Sequence, residues 1–298
     1  MAVRSSFESA TRRREPMARH TSWRAGGAAD VYFRPTSVAM LADFLAQLAP
    51  ATPVTWIGLG SNLLVRDGGI RGVVIATHEL PKEFGLDAAG RVRASAALPC
   101  ATFAKRCARL QRGPAAFFAG IPGSLGGALA MNAGAFGGET WDRIAEVETI
   151  DRAGAIRRRG RDEFEIGYRT VRGPADEWFL SAGFDLAETP VDEADAIRSL
   201  LRERADRQPL GLPSAGSVFR NPPGAHAGAL IERAGLKGLR RGGAVVADKH
   251  ANFIINTGSA TAADIEGLIR EVRERVQAAT GIELEPEVRI VGEPEAGA

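Results

Sequence analysis

Cysteine is nearly absent from this chain of 298 residues: Cys100 and Cys107 are the only two. In a helical pattern that spacing places them on one face about two turns apart, too far for a disulfide. Neither has the spacing of a metal ligand, and four scattered histidines add none, so buried thiols are expected and metal chemistry is not. Tyrosine is equally scarce, limited to Tyr32 and Tyr168. No apolar run approaches the length of a membrane span. The opening MAVRSSFESATRRREP has no hydrophobic signal core, and Glu8 and Glu15 count against a transit peptide, so the chain reads as cytoplasmic. A formal charge of +2 does not predict a nucleic-acid partner, and the runs Arg12–Arg14 and Arg157–Arg159 read as solvated faces. Two nucleotide motifs are missing as well. No Gly-Lys-Ser/Thr triplet supports a Walker A loop. Gly58 and Gly60 begin a dinucleotide fingerprint, but Leu63 stands where a third glycine must let helix and strand approach.

What the chain has in excess is glycine in apolar company. AGIPGSLGGALAMNAGAFGGE (Ala119–Glu139) sets Gly120, Gly123, Gly126, Gly127, Gly134, Gly137 and Gly138 among small apolar residues, with no Lys or Arg. Such density marks backbone in unusual dihedrals or in close approach to a ligand, and exposed amides suit a diphosphate or a flat ring. A second glycine turn, Gly58-Leu59-Gly60-Ser61-Asn62, lies between the apolar runs Val54–Ile57 and Leu63–Val65.

The length favours two domains. Residues 1–20 read as a polar, frayed leader. A strand at Val31–Phe33 is followed by a helix capped by Thr36 or Ser37, with Val38, Leu41, Phe44, Leu45 and Leu48 at helical spacing. Further strands are expected at Gly72–Ile75 and Phe179–Leu186, a helix carrying Phe103, Cys107 and Leu110, and a hairpin Ile144–Ile150/Ala155–Arg159 turning at Ala153-Gly154. Composition changes near residue 190. Asp192–Arg207 is a charged helical pattern, and QPLGLPSAG is a Pro-rich connection. Then come a short helix His226–Ala234, a strand segment Gly243–Asn256 and a long helix capped by Ser259 or Thr261. Its stripe is Ile265, Leu268, Ile269, Val272 and Val276, and Gly281 ends it. Glu283–Val291 reads as a last strand. Without regular βαβ alternation, α+β is the expected class.

Six motifs occur in register: GLGSNLLVRDGG (Gly58–Gly69), the stretch Ala119–Glu139, YRTV (Tyr168–Val171), SAGSVFRNP (Ser214–Pro222), GGAVVADKHANFIIN (Gly242–Asn256) and LEPEVRIVG (Leu284–Gly292). Together they resemble the UDP-N-acetylenolpyruvoylglucosamine reductase (MurB) family from about Thr21 to Gly292. With no further tyrosine between Arg169 and Ser217, the chain resembles the family's shorter form.

The resemblance implies a vanillyl-alcohol-oxidase/PCMH-type FAD-binding region over residues 21–190 and a smaller α+β substrate domain over 191–283. A tail strand, 284–298, would carry Glu287 back to the FAD region. The implied activity is NADPH-dependent reduction of UDP-N-acetylglucosamine enolpyruvate to UDP-N-acetylmuramate, through FAD held non-covalently, for peptidoglycan synthesis. Gly58, Gly60, Ser61, Asn62 and Leu63 would contact the FAD diphosphate and ribityl chain together with Gly120, Ile121, Pro122, Gly123, Ser124, Gly126 and Gly127. Asn132 and Gly134 would lie near the ring. Arg169 matches the family's arginine, whose guanidinium pairs bidentately with a substrate carboxylate. Glu287 matches its glutamate, stabilising the enol, and Ser217 matches the serine that delivers the proton. Asn221 and His250 would touch the sugar nucleotide, Arg207–Pro209 its diphosphate side, and Tyr168 would pack beneath Arg169. A monomer is expected, with neither nucleic acid nor membrane as partner. Two other classes compete: a flavin oxidase of the same superfamily, anchoring FAD through His20, His78, Cys100 or Cys107, and a sugar-nucleotide or flavin sensor without turnover.

Overall fold

The computed structural model describes residues 5–295. The chain forms two compact units, and each is assembled from three stretches of sequence. Unit 1 comprises the chain up to Thr11, Phe33–Gly58 and Ile75–Arg204; unit 2 comprises Arg12–Tyr32, Leu59–Val74 and the chain from Ala205 onward.

Unit 1 is built on an antiparallel five-stranded sheet in the order Ile156–Gly160, Ile144–Asp151, Glu177–Phe184, Val92–Ser95, Phe84–Leu86. The expected hairpin is its edge: Asp151 accepts from the amides of Ala153 and Ala155, and Gly154 takes φ +82° against the carbonyl of Ala42, where a side chain has no room. Helix α1 (Val38–Ala46) starts at Ser37, whose hydroxyl accepts from the Met40 amide, and buries Leu41, Phe44 and Leu45. Helix α2 (Cys100–Arg109) buries Cys100, Phe103, Ala104 and Cys107 on one face, so both thiols are core residues and burial raises their pKa. Phe103 packs edge-on to Phe118 and tilted on Phe184, which fills the space between α2 and the sheet. Helix α3 (Leu125–Met131) is short and tipped by Asn132 in the left-handed region at φ 47°. Helix α4 (Glu193–Arg207) opens with Glu193, whose carboxylate accepts from the amides of Ala115 and Ala116.

In unit 2 the strands Thr11–Pro16, Ala28–Phe33 and Ile70–Ala76 stand side by side in that order. The expected leader is therefore folded from residue 5 onward, beginning with the 3-10 helix Ser5–Ala10, whose Phe7 is buried edge-on to Phe33 and Phe44. Its charged strand TRRREP keeps three arginines outward and buries Glu15 against His20 at 2.8 Å, and Met17 is fully buried. The first four residues lie outside the described ones. Gly243–Asn256, expected as one strand segment, is two: Ala244–Val246 and Ile254–Asn256 pair antiparallel around the loop Ala247–Phe253, and Arg240–Arg241 extends the ladder. Helix α5 (Ala227–Arg233) and helix α6 (Ala262–Thr280) cover them. Thr261, not Ser259, caps α6 through a capping box with Asp264; the expected apolar stripe is buried, and Gly281 ends the helix at φ 73°. Of the expected tail strand, Arg289–Val291 pairs, in parallel register with Leu63–Val65. The turn after Leu63–Val65 is tied to α6: Asp67 accepts from the amides of Ala262 and Ala263 at 2.9 and 2.8 Å, and Arg66 makes a paired contact with Glu266. Among the described residues, no helix is long and apolar enough to cross a membrane.

Candidate active site

In unit 1 the two glycine-rich turns meet. A Cβ at Gly58 would lie 2.5 Å from Ser124 Oγ, so only glycine lets the turns touch. The Ser124 turn is fixed by a short antiparallel ladder. The Leu125 amide donates to Leu98, Gly126 to Ala96 and Cys100 to Gly123, at 2.9, 2.8 and 3.0 Å. The Gly126 amide seats the turn, and its missing side chain admits Ala96, 3.1 Å from a notional Cβ. The amides of Gly123 and Ser124 stand outside this ladder. A cradle of backbone, with any Cβ at Gly58 or Gly120 blocked by a neighbour and with no lysine or arginine in its sequence, fits the diphosphate and ribityl portions of FAD.

The same unit carries Arg169. Asn132 continues α3 into the hairpin Gly134–Ala135/Gly138–Glu139, whose turn residues Phe136 and Gly137 have φ 51° and 81°. Positive φ at both is a type I′ requirement, met here with phenylalanine where asparagine is usual. The Phe136 ring covers Gly120, 2.5 Å from its notional Cβ. A second hairpin, Glu165–Gly167/Thr170–Arg172, turns at Tyr168-Arg169, with Arg169 at φ 54°. Arg169 Nη1 donates to the Asn132 carbonyl at 3.2 Å and Nη2 to that of Gly134 at 2.9 Å, with Glu139 Oε1 3.7 Å away. The Tyr168 ring lies under the guanidinium at 4.9 Å. Asn132 is 2 % exposed and its side chain serves the protein: Nδ2 donates to Glu139 Oε2 and to the Gly167 carbonyl, and Oδ1 accepts from the Trp141 amide. That carboxamide holds the two hairpins together beneath Arg169.

In unit 2, Gly60 takes φ 65° against the carbonyl of His20, and its own carbonyl accepts from the Ser22 amide. Asn62 reaches the far end of the sequence: Nδ2 donates to the Glu287 carbonyl at 3.1 Å, and its carbonyl accepts from the Arg289 amide at 3.1 Å. The Glu287 amide donates to Val218 at 2.8 Å and that of Arg220 to Glu285 at 2.9 Å, with Phe219 bridged to Pro286. Ser217 and Glu287, both half-buried, thereby stand on adjacent extended segments. Gly216, at φ 77°, delivers the chain into Ser217. His250 accepts at Nδ1 from the Asn252 amide at 3.2 Å, which places the neutral ring's proton on Nε2. Burial lowers its pKa from the usual histidine range. Asn221 Oδ1 accepts from the Ala227 amide and so caps α5. Arg207 closes α4. Glu139 and Asn252 were not singled out from sequence; each sits inside a recognised motif, and only that membership could have flagged them.

The FAD binding domain family matches residues 29–160, and the chain is an FAD-dependent oxidoreductase. Residues 208–291 match the UDP-N-acetylenolpyruvoylglucosamine reductase C-terminal domain. Among curated proteins, UDP-N-acetylenolpyruvoylglucosamine reductase of Alkalilimnicola ehrlichii is 57% identical over 284 residues, covering 94% of each chain. That of Methylococcus capsulatus is 53% identical over 285 residues, covering 95% of this chain and 93% of the relative. The crystal structure of the Thermus caldophilus reductase (MurB) superposes with a TM-score of 0.81 at 32% identity, over 94% of this chain and 99% of that one. The chain belongs to the UDP-N-acetylenolpyruvoylglucosamine reductase family.

Proposed function

We propose that Arg169, Ser217 and Glu287 carry the family's reaction, NADPH-dependent reduction of UDP-N-acetylglucosamine enolpyruvate to UDP-N-acetylmuramate. FAD would be held non-covalently by the glycine-rich turns and would supply hydride-transfer chemistry, NADPH being the reductant and the methylene carbon of the enolpyruvyl group the site of addition. That addition moves the alkene electron pair onto the carbon bearing the carboxylate, and one proton must follow. Ser217 Oγ gives that proton; a hydroxyl is a weak acid in water but adequate when positioned against a strong carbanion base. Arg169 receives the substrate carboxylate, and Glu287 stabilises the enol.

Gly58, Gly60, Ser61, Asn62 and Leu63, with Gly120, Ile121, Pro122, Gly123, Ser124 and Gly127, hold the diphosphate and ribityl chain through backbone. Asn221, His250, Arg207 and Tyr168 contact the sugar nucleotide, His250 as an Nε2–H donor. The protein acts in the cytoplasm as a monomer.

The adjacency of Ser217 and Glu287 through Val218 is the observation that carries this assignment. Non-covalent FAD is supported by three of the four competing anchors: Cys100 and Cys107 are core thiols, and both ring nitrogens of His20 are engaged, with Glu15 at 2.8 Å and Tyr32 at 3.0 Å. The test is Ser217→Ala. NADPH should bleach its flavin at nearly the normal rate, while enolpyruvyl turnover falls about 10²–10⁴-fold. Equal collapse of both steps would make Ser217 structural.

A further inference from the structure

Asn252 is 3 % exposed and takes no part in the reaction as described. The residues it bonds, Val218 and Phe219, and its chain neighbours Ala251 and Phe253 are all buried. A carboxamide in such a place is destabilising unless its hydrogen bonds are made, and here they are. Oδ1 accepts from the Phe219 amide at 2.9 Å, and Nδ2 donates to the Phe219 carbonyl at 2.8 Å. The Asn252 carbonyl accepts from the Val218 amide at 2.9 Å. One residue thus grips two consecutive positions immediately after Ser217. Its side chain offers a donor and an acceptor at the spacing of a peptide group, standing in for a neighbouring strand.

The grip extends in two directions. Val218 passes it on, because its carbonyl accepts from the Glu287 amide. Backward, the Asn252 amide donates to His250 Nδ1. Asn252 therefore lies on a hydrogen-bonded path between the proposed sugar-nucleotide ligand, the proton donor and the enol-stabilising carboxyl. With Gly216 in the left-handed region just ahead of it, Ser217 is held on its C-terminal side.

We infer that Asn252 is a positioning residue for proton delivery, fixing Ser217 and Glu287 through the backbone of Val218 and Phe219. The inference rests on the assignment of Ser217 above. It concerns the second half of the reaction alone, since nothing in this clamp bears on hydride uptake from NADPH.

The experiment uses the FAD-loaded full chain with Asn252→Asp and Asn252→Ala, Ser217→Ala alongside, and follows the two half-reactions separately by anaerobic stopped flow. Bleaching by NADPH should stay within about twofold of wild type, while recolouring by the enolpyruvyl sugar nucleotide slows about 10²-fold, the penalty of a roughly 1 Å misplacement. The substrate concentration for half-saturation should move little. Recolouring in D₂O should slow by a larger factor than in wild type, because proton transfer becomes more limiting. Asn252→Asp adds a readout that loss of packing does not produce. The aspartate keeps the acceptor for Phe219 but lacks the donor, and burial raises a carboxyl pKa, so acidification restores an O–H donor. Its deficit relative to wild type should shrink as pH falls. Asn252→Asp has the size of the native residue and carries the test if Asn252→Ala does not fold. Parallel loss of both half-reactions, or recolouring at the wild-type rate, overturns the inference. Normal recolouring by Ser217→Ala overturns the assignment of Ser217 instead.

Discussion

Replacing Asn132 by alanine tests whether the support beneath Arg169 is understood. The residue sits at φ 47°, a conformation asparagine tolerates and alanine adopts at a cost of about 1–2 kcal/mol. Its side chain makes three hydrogen bonds. Each contributes about 1 kcal/mol net, and the Trp141 amide, left buried without its acceptor, costs about 1–3 kcal/mol. With the Trp141 bond counted once, through its orphaned amide, the expected loss is about 4–7 kcal/mol, a large share of the roughly 5–15 kcal/mol that holds a domain folded. Asn132→Gly loses the same bonds without the left-handed penalty, so it should be more stable than Asn132→Ala by about 1 kcal/mol. Urea unfolding followed by far-UV circular dichroism at one fixed FAD concentration measures both. For Asn132→Ala the midpoint should fall by more than about 1 M, given a slope of about 1–3 kcal/mol/M. The reasoning is refuted if alanine costs under about 1 kcal/mol, or if glycine proves the worse of the two.

Arg169→Lys should lose most enolpyruvyl turnover, because an ammonium on a flexible stem cannot reproduce the fork that meets Asn132, Gly134 and a carboxylate together; near-normal turnover removes Arg169 from the catalytic set. His250 predicts a pH dependence of stability. Its folded pKa lies below the reference value of 6.5, so the folded state binds fewer protons than the unfolded chain. Its stabilising contribution is complete above pH 6.5 and is lost as pH falls through the lowered folded pKa. Urea midpoints measured down through that window should fall more for wild type than for His250→Gln, and identical profiles would exclude His250 as the titrating group.

Much of the fold was legible because the relevant forces are local. Val54–Ile57 and Leu63–Val65 are apolar runs bounded by glycine turns, and α6 announces itself by its stripe, a Thr261 cap and Gly281. The strand Thr11–Pro16 was illegible for the opposite reason. Three consecutive arginines carry no period, and the strand exists because Ala28–Phe33 stands beside it. Likewise the loop that breaks Gly243–Asn256 contains Asn252, whose side-chain partners lie 33 residues away. The family was legible through motifs in order. At the site, sequence could name Arg169 but could not show that Asn132 and Gly134 supply its carbonyl partners or that Asn132's carboxamide is turned inward.

The strand Leu63–Val65 has its partner at Arg289–Val291, more than two hundred positions downstream, and the Asp67 carboxylate caps a helix that begins at Ala262. A chain synthesised from its N-terminus must therefore carry an unpartnered apolar edge until Arg289–Val291 has been made. A fragment beginning at residue 208 would leave the α6 amides without that carboxylate, and one ending before residue 289 would strand Leu63, Leu64 and Val65 in water. Completion of unit 2 thus waits until Arg289–Val291 has left the ribosome.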